Sequence, residues 1–216
     1  MDYGELFGGL NALDVVRVVR DPAGNIIGTT VDSEPVPPIS QDLVWDDLRF
    51  PASGINLFGI VTPPTLDVTT LFGTLLFDSA TVNAVVGVAQ LPHSWKPGTI
   101  VKPHIHWTKT TNDPGLPLFA FAYAIANAGE VFPAYSDAIA NPGVPTVADD
   151  DTAQQSAIMK FSDIDMTGFR ESCIILWGIS RIGGDVGDTY PADARLLEFD
   201  IHYQLEKRGT IQEFPQ

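Results

Sequence analysis

The sequence predicts an all-β protein: an antiparallel β-sandwich, jelly-roll-like, with an extended N-terminal arm. Three observations predict it. Seventeen Pro and 19 Gly punctuate the 216 residues closely enough to leave no room for long helices. Several segments alternate apolar and polar side chains with a period of two, and none sustains the i, i+3, i+4, i+7 stripe of an amphipathic helix. Charge is also uneven. Residues 51–110 hold two acids and three bases, against nine and three in 1–50 and sixteen and six in 111–216. The near-neutral middle is where most packed strand is expected.

In chain order, the valine-rich run 14–20, the turn DPAGN at 21–25 and the run 26–31 read as a β-hairpin. Pro35, Pro37 and Pro38 follow in a stretch that cannot join a sheet interior. The arm is therefore assigned to 1–40 and the sandwich body to 41–216. Strands are expected at 43–50, 71–77, 84–91, 99–109, 116–127, 156–161, 172–181 and 195–206. Residues 134–153, with Pro142, Gly143, Pro145 and the triple Asp149, Asp150, Asp151, read as a long surface loop. Strands and loops of this spacing fit one sandwich of ordinary domain size.

Alternation assigns faces. Val101, Pro103, Ile105 and Trp107 point to the core, and Lys102, His104, His106 and Thr108 away from it. In the last strand Leu197, Phe199, Ile201, Tyr203 and Leu205 take one face, and Glu198, Asp200, His202 and Gln204 the other. Two strands are apolar on both faces. One sets Cys173, Ile175, Trp177 and Ile179 against Ile174 and Leu176. The other sets Phe119, Phe121 and Tyr123 against Leu118, Ala120, Ala122 and Ala124. A two-layer fold dries one face of each strand, so the second set needs a partner. A homo-oligomer is expected, with Ile175, Trp177, Phe119 and Phe121 at its interface.

Composition narrows the partners. A net charge of −15 and a pI near 4.3 oppose binding to nucleic-acid backbones or anionic membranes. No apolar run approaches the roughly 20 residues of a membrane span. Residues 1–5 show no basic start to a signal peptide. Cys173 is alone, so no internal disulfide forms, and its expected state is reduced and buried.

The sharpest chemical motif is His104-Ile105-His106. On a strand it sets two imidazoles on one face, where they can offer two nitrogen ligands. The run KPGTIVKPHIH at 96–106 resembles the first half of a cupin metal motif. That motif continues with a Glu, which 107–113 lacks, and a later His in a Pro/Gly pattern, which His202 lacks. Cupin ligands also face the barrel interior, the side that Ile105 and Trp107 take here. No metal or other cofactor is therefore expected. The cupin-like alternative would use His104, His106 and His202. If the two polar faces lie on paired strands, Glu198, Asp200 and His202 stand beside His104 and His106 as one ladder.

Nothing else points to catalysis, and the protein is not expected to be an enzyme. There is no Gly-x-Ser-x-Gly elbow, and Gly183-Gly184-Asp185 lacks the Lys and helix of a phosphate loop. Asp149–Asp151 and the Asp185/Asp188 pair lack EF-hand spacing and read as solvated turns. A sugar-stacking platform would need Trp95, Trp107 or Tyr190 exposed, yet Trp107 is expected inward.

Three segments form a more specific set: WDDLRFPASGIN at 45–56; LPHSWKPG at 91–98 running into KPHIHWTKTT at 102–111; and DTYPADARLLEFDIHYQ at 188–204. Together, over residues 43–214, they resemble a family of small structural proteins of tailed-bacteriophage particles. The resemblance implies a virion protein made in the host cytoplasm, such as a capsid decoration protein or a neck or tail piece. Its implied partners are further copies of itself, with a trimer favoured by analogy, and other virion proteins such as the major capsid protein. It brings no catalytic residues.

Overall fold

Asp21 closes a tight turn near the start of the described residues. Its carboxylate accepts the Ala23 and Asn25 backbone N–H groups at 2.9 Å, and Gly24 supplies the positive φ (88°) that the turn requires. The turn joins β1 (Val15–Arg20) to β2 (Ile26–Asp32) in an antiparallel hairpin with a register shift at Arg20. The computed structural model describes residues 15–32, 44–57, 60, 62–137, 142–147 and 151–206. It separates the chain into two units, Met1–Leu43 and Val44–Gln216. The Pro-rich stretch 33–40 lies outside the described residues.

The second unit is a β-sandwich of antiparallel sheets. Its strands are β3 (Trp45–Pro51), β4 (Thr65–Asp67), β5 (Thr74–Phe77), β6 (Val82–Gln90), β7 (Lys102–Lys109), β8 (Phe119–Ala126), β9 (Val144–Val147), β10 (Ala157–Lys160), β11 (Ile174–Ile182) and β12 (Ala194–Gln204). The larger sheet has the order β4-β5-β12-β7-β10-β9, and β3 continues the β5 side of β12. The smaller has the order β6-β11-β8. Thus β5, β7, β10 and β12 alternate along the chain with β6, β8 and β11 in the facing sheet. Among the described residues the smaller sheet has three strands, one fewer than a jelly roll has, and the fold is a β-sandwich. Among the described residues no helix is long and apolar enough to cross a membrane.

Aromatic side chains join the two sheets. Trp177 of β11 lies 4.7 Å from Phe199 of β12 and 5.2 Å from Phe50 of β3, ring centre to ring centre. Phe119 of β8 meets Phe77 of β5 edge-on at 5.3 Å. Each fully buried side chain of this size contributes about 1.5–3 kcal/mol. Trp107, Ile105 and Val101 face this core, as their alternation predicts. Cys173 is buried there too, which pushes its thiol up to about 12.

At one end of the core, Arg181 is wholly buried with each of its hydrogen-bonding groups engaged. It grips Asp188 with two bonds of 2.7 and 2.8 Å and donates to the carbonyls of Phe77, Ala192 and Tyr190. Asp188 is thus a buried counter-ion and not a solvated turn residue. Asp151 pairs with the buried Lys109 amine, while Asp149 and Asp150 lie outside the described residues.

Several expectations are corrected. Ile175, Trp177, Phe119 and Phe121 are 0–1% exposed within one chain. They fill the space between the sheets and are not an interface. The second face of β11 and β6 is the uncovered one. Leu196, not Leu197, enters the core. A bulge between Leu196 and Glu198 inserts Leu197 as an extra residue, so that Leu196 and Phe199 both point inward. Trp95, Trp107 and Tyr190 are all buried, which leaves no stacking platform among them. Two strands went unseen in the sequence: β4, only three residues long, and β9, inside the stretch read as a loop.

Candidate functional site

β7 and β12 are neighbours, so the two polar faces form one ladder on the outside of the larger sheet. The register sets Asp200 opposite His104, Glu198 opposite His106 and His202 opposite Lys102. On the far side of β12, Arg49 faces Asp200 and Asp47 faces His202. His104 and Asp200 lie almost fully buried in this ladder, with side-chain exposures of 8% and 5%, while His106 keeps 31%.

Asp200 is the hub. Its Oδ2 lies 3.2 Å from His106 Nε2 and 3.5 Å from His104 Nε2. Its Oδ1 is buried with no hydrogen-bond partner. Arg49 faces Asp200 in the register, yet its guanidinium is held by Glu198 through two bonds of 2.8 and 2.7 Å. His202 stacks edge-on against His104 at 4.3 Å, and its Nε2 lies 2.9 Å from Asp47 Oδ1. Lys102 is drawn over the Trp45 ring at 4.6 Å.

Burial works against charge here. Desolvation, then the neighbouring His202 and His106, push the His104 imidazole down to about 4. Desolvation, then the Glu198 and Asp47 carboxylates, push Asp200 up to about 7. The centre therefore offers a neutral His104 imidazole beside a carboxyl group near its own titration point. Such a group can hold either a proton or a cation. One ligand atom each from His104, His106 and Asp200 lie within 4.8 Å of one another. His202, which the sequence grouped with the other histidines, falls outside that set and sits beside it. Asp200 was legible as a member of the ladder but not as its hub, because that depends on where Arg49 goes.

Two other features stand apart from this cluster. His93 Nε2 lies 2.7 Å from Ser172 Oγ, and Ser172 has a φ of 65°. The contact ties the turn before Trp95 to the turn entering β11. Between β3 and β6 a cleft of about 320 Å³ opens over Trp177, lined by Phe50, Ile55, Val86 and Val88 together with the polar Arg49 and Asn56.

Val86 and Val88 belong to a wider surface. On the outer face of the smaller sheet Val82, Val86 and Val88 are 45%, 50% and 58% exposed. They stand beside the half-buried Ile174 and Leu176. The three strands of this sheet carry one charged side chain, Arg181, and it is turned into the core. No protein-family model matches the sequence, and no curated protein is significantly similar to it.

Proposed function

We propose that this protein is a structural component of a tailed-phage particle, a capsid-associated decoration protein that works by associating with like chains and with neighbouring virion subunits. The family resemblance of segments 45–56, 91–111 and 188–204 supports the particle. The observation that carries the mode of action is the outer face of the smaller sheet. In a chain of net charge −15, copies repel one another over most of their surface. An apolar face with no outward charge is where they can meet without that cost, and where water is most readily displaced. The occupant is a second copy of this chain. A closed ring satisfies every copy, and a trimer is favoured by analogy with other virion jelly rolls. The protein is made in the host cytoplasm and resides in the virion.

Light scattering coupled to size exclusion tests self-association. At about micromolar concentration the wild-type chain is expected to run as a multiple of its 23.3 kDa mass. Val86→Glu with Val88→Glu is expected to give a folded monomer, with circular dichroism unchanged. A stable wild-type monomer overturns the mode of action. Substituting Ile175 or Trp177 would test only folding, because both lie in the core. Mass spectrometry of purified particles tests the location, and a particle complete without the chain overturns it.

A further inference from the structure

We propose that His104, His106 and Asp200 form a binding site for a divalent transition-metal ion of the zinc class, with three protein ligands and one position open to solvent. The inference does not rest on the assembly reading, since the cluster lies on the larger sheet and the uncharged apolar face on the smaller.

Geometry carries it. A zinc ion with bonds of about 2.0–2.1 Å to nitrogen and oxygen requires its ligand atoms to stand about 3.3–3.4 Å apart at a tetrahedral edge. The two Nε2-to-Oδ2 separations, 3.5 and 3.2 Å, already bracket that value. All three side chains come from two paired strands, so the backbone that sets these separations is held by the ladder.

Asp200 supplies an independent observation. A carboxylate this deeply buried ordinarily has every oxygen matched to a donor. Among the described residues two other buried carboxylates meet that rule: Asp188 is gripped by Arg181, and Asp67 by Arg195 and three backbone N–H groups. Asp200 leaves Oδ1 unmatched, and the guanidinium of Arg49, opposite it in the register, is committed to Glu198. A cation bound through Oδ2 alone leaves Oδ1 unmatched, whereas one held by both oxygens of the carboxylate would meet its need. Partial exposure of His106 gives the ion its path and its open position. Asp47 and Glu198 add negative charge nearby, while the exposed Lys160 opposite His104, Lys102 opposite His202 and Arg49 opposite Asp200 are the cations that compete with it.

The test uses the full-length chain, stripped with chelator and dialysed, then titrated calorimetrically with Zn²⁺. One Zn²⁺ per chain is expected to bind saturably and to raise the thermal midpoint. Co²⁺ in its place is expected to show the intense visible bands of a tetrahedral centre. His106→Ala, at the most exposed ligand, is expected to lose the site while keeping its fold. Asp200→Asn, nearly isosteric, is expected to lose it as well, and His202→Gln to retain it. Absence of saturable Zn²⁺ binding by the wild type overturns the proposal. Binding that survives His106→Ala or Asp200→Asn overturns it too, as does binding lost equally in His202→Gln.

Discussion

Asp67 shows what a single buried side chain does for this fold. It ends β4 and accepts the backbone N–H groups of Thr70, Thr69 and Leu71 together with the Arg195 side chain at 2.8 Å. Those donors hold its carboxyl well below the usual carboxylate range, the Thr70 and Thr69 amides first and Arg195 after them. Folding therefore excludes a proton from Asp67. Its contribution is complete above the unfolded value of 3.8 and is lost as the pH falls below it. Urea midpoints of the wild type should drop between neutral pH and about pH 3. Asp67→Asn should be less stable at neutral pH but should lose less on acidification. If both lose the same amount, another carboxylate carries the acid sensitivity.

At the scale of an element, β6 and β11 depend on a missing side chain. Gly87 pairs with Trp177 in the register, and a Cβ at Gly87 would overlap the indole ring. The ring lies across the β6 backbone and from there reaches Phe199 in the opposite sheet. Gly87→Ala must push Trp177 off this position, at an expected cost of about 1–3 kcal/mol, read as a lower denaturation midpoint with unchanged slope. A change within about 0.5 kcal/mol would show that the ring has another place to go. The bulge at Leu197 is the other device at this scale. It resets which residues of β12 face inward, and without it Leu196 and Phe199 could not both be core residues.

For the whole molecule, the division between Leu43 and Val44 separates a two-stranded hairpin from the sandwich. A two-stranded hairpin is marginal in water by itself, and we propose that another subunit supplies the surface that stabilises it. Deleting residues 1–38 should leave a cooperatively folding body that no longer assembles. Normal assembly of the truncated chain would remove the arm from the mechanism and leave the outer face of the smaller sheet to act alone. A truncated chain that does not fold would show the unit boundary to be misplaced.

The sequence by itself determined the strands with a clear period of two and the faces of β7, because alternation is a local property that the core enforces directly. It determined the turn at Asp21 for the same reason, since the Asp, Gly and Asn that close it are near neighbours. It placed His104 and His106 on the outer face and named Asp200 and His202 as their companions if two strands should pair. Only the tertiary structure decided that they do pair, and that Asp200, not His202, completes the set. That choice depends on Arg49 turning to Glu198, a contact between residues far apart in sequence. Only the tertiary structure decided which apolar face of β11 is dry. Both faces carry large side chains, and period alone cannot rank them. The facing aromatics Phe50 and Phe199 claim Trp177 and its side of the strand, and Ile174 and Leu176 remain on the outside with Val86 and Val88.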